Sequence, residues 1–158
     1  MTDDDRPAED AESVLMAVAG PEAVVLATIW ATVDLERTLV GLGLDVGATG
    51  TRVLADTLLG GRVVVVPSGA DGSRLAIAEP TTEGRLAAFL ARHGERAAGR
   101  YVAVSDDLGQ ARTRADASGI TVSRVEDGPF GSSMLLLIGP VSGPQLILCE
   151  SAAVPSAP

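Results

Sequence analysis

The sequence predicts an α+β fold in which two βαβββ modules form an incomplete barrel around a cavity. Two strand-to-helix junctions, ATVDLERTL and AVSDDLGQA, share one pattern, and their aspartates, Asp34 and Asp107, lie 73 residues apart. Each junction is followed by glycine and then by a β-rich region, which indicates an internal duplication. One such unit has a curved sheet too small to enclose a ligand, whereas two together surround a central cavity, the default place for a site.

The first module is expected at about residues 23–81. Residues 24–33 form an apolar run typical of a buried strand, and Asp34 is placed to cap a short helix that glycines close. Pro80 ends this half of the chain. Three β-rich segments separated by glycine-containing turns lie between the helix and that proline, at residues 51–54, 62–66 and 74–78.

The second module is expected at about residues 82–150. It begins with an additional helix and then repeats the pattern of the first module. That helix is expected at about residues 82–92, where Leu86, Phe89 and Leu90 form an apolar stripe. Asp107 caps the helix of the module, which runs to residue 117. The strands of this module are expected at residues 101–104, 121–125, 133–138 and 145–149.

Both ends of the chain are expected to lie outside this single domain of residues 21–150. Residues 1–20 are an acidic leader that we expect to be disordered, since six of the 21 acidic residues fall within the first 12 positions. Residues 151–158 form a low-complexity tail that we expect to be flexible. The leader accounts for much of the net charge of −9.

Composition excludes several classes of function. Nucleic-acid-binding surfaces are normally basic and carry aromatic platforms, whereas this chain is acidic and has only four aromatic residues. No apolar run approaches the roughly 18 residues of a membrane helix, and the N-terminus is acidic where a signal peptide is basic. We therefore expect a cytoplasmic protein with neither nucleic acid nor membrane as a partner. Cys149 is the single cysteine, which excludes an internal disulfide.

Several phrases of the sequence, taken in order, resemble a known family. VDLERTL, RLAIAEP, AAFLARHGE, YVAVSDDLGQARTRADASGI, GPFG and GPQLILCE are similar to the vicinal oxygen chelate superfamily, which includes glyoxalase I, methylmalonyl-CoA epimerase, extradiol dioxygenases and bleomycin-binding proteins. The resemblance covers about residues 24–150. The middle of the chain is most like the epimerases and the hydroxyphenylpyruvate dioxygenase-like proteins.

The resemblance also implies where a divalent metal would be held. Its four ligand positions fall on Ala27, Ala76, Arg100 and Ile147, none of which can ligate a metal. We therefore expect no metal and no cofactor. The remaining candidate ligands are expected to lie away from the cavity: His93 at a helix end, and Glu79 and Glu150 by the alternation of their strands.

The same alternation predicts a mainly apolar pocket with a few polar groups. Arg100 could bind a carboxylate, phosphate or enolate oxygen, or could instead pair with Glu79 or Asp106. Arg74 could line the pocket or simply be solvated, and the Phe130 hairpin could be a lid or an ordinary turn. The predicted ligand-binding residues are Arg100, Arg74, Gln145, Tyr101, Phe130, Ile147, Ala27 and Ala76.

Two functions follow as hypotheses. The first is a metal-independent small-molecule binding protein of the glyoxalase/bleomycin-resistance type, which sequesters or carries a metabolite or antibiotic. The alternative is a metal-free isomerase, cyclase or lyase of natural-product or acyl-CoA metabolism, in which Arg100 stabilises an enolate-like oxyanion. The resemblance further implies a homodimer. The sequence leaves open whether the protein is an enzyme.

Overall fold

The computed structural model describes residues 6–44 and 51–150, with side chains from residue 11 onward. The helices in these residues are α1 (Arg6–Ala19), α2 (Leu35–Gly41), α3 (Arg85–His93) and α4 (Leu108–Ala117). None of them is long and apolar enough to cross a membrane. The strands are β1 (Val24–Ala31), β2 (Val53–Asp56), β3 (Gly61–Pro67), β4 (Arg74–Pro80), β5 (Arg96–Ala103), β6 (Glu126–Gly128), β7 (Gly131–Leu135) and β8 (Gln145–Glu150).

The described strands form one mixed sheet whose order shows the duplication directly. The order is β2-β3-β4-β1-β5-β8-β7-β6, so each half contributes four neighbouring strands. In the first half β1 pairs in parallel with β4, and in the second half β5 pairs in parallel with β8. The halves join where β1 and β5 pair antiparallel. This arrangement, curved nearly into a barrel, confirms the predicted α+β fold class.

Equivalent aspartates begin the helix of each half, as the sequence predicts. The Asp34 side chain accepts a hydrogen bond from the Arg37 amide at 3.0 Å, and that of Asp107 accepts one from the Gln110 amide at 2.8 Å. Each carboxylate thereby satisfies a backbone donor that the first helical turn leaves free.

Equivalent glutamates on the last strand of each half support the same helices. Oε2 of Glu79 accepts from the Leu35 amide at 2.6 Å, and Oε2 of Glu150 accepts from the Leu108 amide at 3.1 Å. Both carboxylates therefore lie on the helix-covered outer face of the sheet, which confirms the facing predicted for them.

The buried side chains of the described residues form three clusters. One lies between α2 and the outer face of β3 and β4, and another lies between α1, α4 and the outer face of β5, β7 and β8. The third, here called the interior cluster, fills the concave side of the sheet and includes the apolar face of α3. Its buried members are Ala27, Ile29, Ala31, Leu59, Val63, Ala76, Ala78, Leu86, Phe89, Leu90, Ala98, Tyr101, Leu135, Ile147 and Cys149.

The N-terminal segment differs from the disordered leader expected over residues 1–20. Within it, Arg6–Ala19 forms helix α1, and Leu15, Val18 and Ala19 are fully or almost fully buried. The guanidinium of Arg114 on α4 donates to the carbonyl oxygens of Val18 at 2.7 Å and Ala19 at 3.2 Å, which satisfies the end of α1. Residues 1–5 and the predicted flexible tail, 151–158, lie outside the described residues.

Two strand boundaries in the second half were predicted wrongly. Strand β5 begins at Arg96, five residues before the predicted start, because β1 and β8 flank it and the RAAG segment takes part in pairing despite its weak β-propensity. Residues 121–125 do not form a regular strand. They contribute only an isolated bridge between Val122 and Leu136, and β6 starts at Glu126.

Candidate functional site

Three of the four positions at which the resemblance places metal ligands meet in the interior cluster. Ala27, Ala76 and Ile147 are each at most 2% exposed. Tyr101 pairs with Ala27 on one side and with Ile147 on the other, so these three side chains share one face of the sheet. The fourth interior position is therefore held by Tyr101.

Arg100 lies on the opposite face, so its predicted place in the pocket is wrong. Its cross-strand partners are Thr28 and Leu146, and its guanidinium forms an ion pair with Glu12 of α1. The resemblance places the ligand position on Arg100, but Ala27 pairs with Tyr101, so the interior position lies one residue further along β5. The β1–β5 pairing also contains two register shifts. Helix α1 also covers the outer face of β5, so both faces of this strand are buried and the apolar pattern is ambiguous.

The central feature of the interior is a hydrogen bond that spans the two halves of the chain. The Tyr101 hydroxyl, on β5, donates to Oδ2 of Asp56 at the end of β2. Oδ1 of Asp56 accepts from the Leu59 amide at 3.1 Å. Asp56 is 2% exposed and Tyr101 is fully buried. A carboxylate and a phenol therefore share a site that water does not reach.

Burial changes the acid–base properties of both groups. Desolvation raises the pKa of Asp56, and the hydrogen bonds from Tyr101 and from the backbone only partly oppose it. Desolvation, together with the nearby Asp56 carboxylate, raises the pKa of Tyr101 well above its ordinary value. Tyr101 is consequently a proton donor in its hydrogen bond, and Asp56 is a carboxylate that takes up a proton more readily than usual.

The β6–β7 hairpin closes over this pair. The ring of Phe130 packs against that of Tyr101 with centroids 5.1 Å apart. Gly128 lies so close that a Cβ atom there would stand 3.7 Å from Oδ2 of Asp56 and 3.4 Å from Oγ of Ser133. The hairpin thus brings a ring and a glycine against the Asp56–Tyr101 pair, which fits its predicted position beside the interior.

Ser133 and Cys149 extend the polar part of the interior. The Ser133 hydroxyl, 1% exposed as a residue, lies 3.0 Å from the carbonyl oxygen of Gly131 and 3.5 Å from Sγ of Cys149. Burial raises the pKa of the Cys149 thiol to about 12, and the Asp56 charge adds to this effect. A thiol with such a pKa is protonated at neutral pH and is a poor nucleophile.

Gln145 is buried as part of a second polar pair. Its Oε1 accepts from Nε of Arg85 at 3.0 Å, and its Nε2 donates to the carbonyl oxygen of Gly143 at 2.7 Å. Gln145 is fully buried. Arg85 lies in the first turn of α3, and desolvation lowers the pKa of its guanidinium.

Arg74 lies apart from the other predicted site residues. It is exposed at the start of β4 and faces Pro67 on β3. With Val65 and Ser73 it lines an open depression of about 440 Å³ at the end of that hairpin. This position corresponds to the solvated alternative for Arg74.

A smaller cavity lies at the boundary of α1, α3 and the sheet. Its volume is about 200 Å³, and Leu15, Thr28, Phe89 and Arg100 contribute to its walls. Helix α1 forms one side of this cavity, and neither Asp56 nor Tyr101 is among the residues that line it.

The remaining candidate ligands are occupied by structural contacts. Nε2 of His93 lies 3.1 Å from the carbonyl oxygen of Ser142 at the end of α3. Carboxylate oxygens of Asp34, Glu36 and Glu79 lie within 4.8 Å of one another, but Arg62 contacts Glu36 at 2.8 Å and Glu79 at 2.9 Å. The guanidinium therefore supplies the positive charge that this cluster needs.

Sequence reasoning missed Asp56, Arg85 and Ser133. The available signal for Asp56 was a carboxylate that follows the apolar run VLA and is separated from LL by one threonine, an unusual place for a solvated charge. Arg85 follows the glycine that precedes α3 and gives no signal of burial in the sequence. Serine is common in hairpins, so Ser133 could not be distinguished from a turn residue.

No family model matches this sequence, and no curated protein sequence matches it. Solved structures are similar in fold. The methylmalonyl-CoA epimerase of Mycobacterium tuberculosis has a TM-score of 0.65 at 16% identity, covering 82% of this chain and 88% of its own. A Streptomyces coelicolor methylmalonyl-CoA epimerase variant in complex with 2-nitronate-propionyl-CoA has a TM-score of 0.60 at 23% identity, covering 82% and 97%. A hypothetical protein of Bacillus halodurans, at 17% identity and a TM-score of 0.60, covers 82% and 94%.

These likenesses show the fold that the chain shares with the epimerases. They agree with the vicinal oxygen chelate resemblance at the level of the fold.

Proposed function

We propose that this protein is a metal-independent isomerase that moves a proton on a small acyl compound held in the interior of the barrel. The observation that carries the proposal is the buried Asp56–Tyr101 hydrogen bond, which combines a carboxylate of raised pKa with a phenolic donor. The fold shared with methylmalonyl-CoA epimerases supports acyl-CoA thioesters as the substrate class. This corresponds to the alternative function expected from the sequence, with different residues.

Asp56 is the proposed general base. Its carboxylate takes the proton from the carbon next to the thioester carbonyl, and the electrons of that C–H bond move into an enolate whose charge lies on the carbonyl oxygen. The protonated carboxyl of Asp56 returns the proton after the planar enolate has turned its opposite face toward it, which completes the isomerisation and restores the carboxylate. A base is most effective when its pKa lies near the working pH, and burial moves Asp56 in that direction.

Tyr101 is the proposed donor to the enolate oxygen. When substrate enters, the Tyr101 hydroxyl stops donating to the Asp56 carboxylate and donates to the developing oxyanion instead. The same change frees Asp56 to act as the base. A donor in a water-excluded site stabilises such charge strongly. Entry requires the Phe130 ring to leave Tyr101, and the glycines at both ends of the GPFG turn allow the hairpin to move.

Metal independence is proposed from the side chains at the interior positions. Ala27, Ala76 and Ile147 offer no ligand atom, and Tyr101 is already bonded to Asp56. The oxyanion is therefore assigned to the hydroxyl of Tyr101. The homodimer and the cytoplasmic location expected from the sequence remain predictions.

The test is exchange of the α-proton of an acyl-CoA thioester for deuterium in D₂O, followed by NMR in the presence of a chelator. We expect Asp56→Asn to slow exchange by about 10²–10⁴-fold and Tyr101→Phe by about 10²–10³-fold. Asp127→Asn is the matched control, because Asp127 is exposed on β6. Exchange that requires added metal, or that survives Asp56→Asn at the rate of the control, would disprove the proposal.

The second candidate is a metal-independent binding protein, and the Tyr101–Phe130 contact favours it. These two rings pack against each other in the buried interior, and a planar ligand that enters there would stack on them. Recovery of a bound compound unchanged after incubation, together with weaker binding by Phe130→Ala and no proton exchange, would support this candidate over the isomerase.

A further inference from the structure

We infer that Arg85 and Gln145 form a binding site for a small oxyanion, most simply a carboxylate, at the α3 end of the barrel interior. The assignment of this oxyanion to an acyl substrate rests on the proposed function. The anion site itself does not depend on it. It would make acyl compounds that carry an acidic group the preferred substrate class.

The geometry at this site leaves one strong donor unused. Nε of Arg85 donates to Oε1 of Gln145 at 3.0 Å, and the amide of Gln145 is held in turn by the Gly143 carbonyl oxygen at 2.7 Å. Nη2 of Arg85 is buried and has no hydrogen-bond partner among the residues that the structure describes. The guanidinium is thus fixed in orientation, and its Nη2 group keeps N–H donors without an acceptor. An oxygen acceptor would satisfy them.

The electrostatics of the site also favour an anion. Elsewhere in the described residues, Arg62 and Arg114 bind carboxylates at 2.7–2.9 Å. Within residues 6–44 and 51–150, Arg85 has only the neutral amide of Gln145 as a side-chain partner, and desolvation lowers its pKa. A half-buried guanidinium without a counter-charge is unfavourable, so a bound oxyanion would supply what the protein lacks.

The backbone places this pair at the edge of the interior cluster. Gln145 precedes Ile147 by two residues on β8, and it pairs with Gly99 on β5. Gly99 has φ +154°, and a Cβ atom there would stand 1.8 Å from the Gln145 carbonyl oxygen. Only glycine allows the close approach that holds Gln145 in this position.

The test measures the Tm of the full chain with malonate, propionate or phosphate, against chloride at equal ionic strength. We expect malonate or propionate at about ten times its dissociation constant to raise the Tm by roughly 3–6 °C. Arg85→Met should abolish the rise, and Arg85→Lys should weaken it because lysine lacks the fork of donors. Arg74→Met is the matched control, since Arg74 is exposed and should leave the response unchanged.

Each outcome decides the inference. A rise with phosphate and not with the carboxylates would retain the oxyanion site but overturn its assignment to acidic acyl compounds. No rise with any anion, or an equal rise in Arg85→Met, would overturn the site itself. If Arg85→Met does not fold, Arg85→Lys takes its place. A rise in its Tm as large as that of the unsubstituted protein would then overturn the site. Proton exchange is measured separately, so an anion response without exchange would reject the isomerase and leave this site standing.

Discussion

Replacing Tyr101 with phenylalanine tests the central contact of the interior. The substitution keeps the ring that packs against Phe130 and removes only the hydroxyl that donates to Asp56. A hydrogen bond to a charged group contributes about 1.5–3 kcal/mol, and a buried acceptor left without its donor loses a similar amount. We therefore expect Tyr101→Phe to lower the free energy of unfolding by about 2 kcal/mol at pH 7.

The effect should depend on pH in a defined direction. Burial raises the pKa of Asp56 above its unfolded value, and the Tyr101 hydrogen bond opposes that rise. The native state therefore binds a proton more readily than the unfolded state does. The free-energy cost of burying the ionised carboxylate is absent below the unfolded pKa and grows as pH rises through the folded pKa. Losing the hydroxyl raises the folded pKa further. The destabilisation by Tyr101→Phe should be larger at pH 7 than at pH 4, where Asp56 is more protonated.

Urea unfolding followed by circular dichroism at both pH values measures this effect. Ser133→Ala is the control, because it also removes a buried hydroxyl, but one whose hydrogen bonds are to a carbonyl oxygen and a thiol. Its cost should be about 1 kcal/mol and independent of pH. A cost below about 0.5 kcal/mol for Tyr101→Phe at pH 7, or an undiminished cost in an Asp56→Asn background, would refute the reasoning.

Three further predictions concern other parts of the barrel. Gly99→Ala should lower the free energy of unfolding by about 2 kcal/mol or more in urea titrations, because its Cβ atom would overlap the Gln145 carbonyl oxygen; unchanged stability would contradict the close approach. Arg100→Gln should cost at most about 1 kcal/mol, since its ion pair with Glu12 is exposed, and should leave proton exchange unchanged; a large loss of exchange would return Arg100 to the site. Cys149, with a thiol pKa of about 12, should resist a thiol reagent at pH 8 in the native protein and react in urea; equal rates in both would show that the interior is open.

Local sequence signals predicted the elements whose causes are local. Asp34 and Asp107 each supply a cap within three residues of the amide that they bind, so the start of both helices and the duplication could be inferred from sequence. The facing of Glu79 and Glu150 followed from alternation, because β4 and β8 pair with β3, β5 and β7 without a register shift.

Contacts between distant residues could not be predicted in the same way. Glu12 and Arg100 are 88 positions apart, and nothing in either neighbourhood indicates that α1 covers β5. The resemblance therefore assigned Arg100 to the pocket, and nothing in the sequence pointed to its ion pair with Glu12. Asp56 and Tyr101 are 45 positions apart, and their hydrogen bond exists only because the sheet curves until β2 faces the centre.

The apolar interior and the basicity of Asp56 have one physical origin. Aliphatic side chains stand where the resemblance places metal ligands, so the surroundings of Asp56 are poorly polarisable and favour its protonated form. A divalent ion beside Asp56 would favour the ionised form instead and would lower the pKa of that carboxyl. The raised pKa of Asp56 is therefore the direction of change that its proposed role as a general base requires, and the aliphatic residues Ala27, Ala76 and Ile147 are compatible with that role.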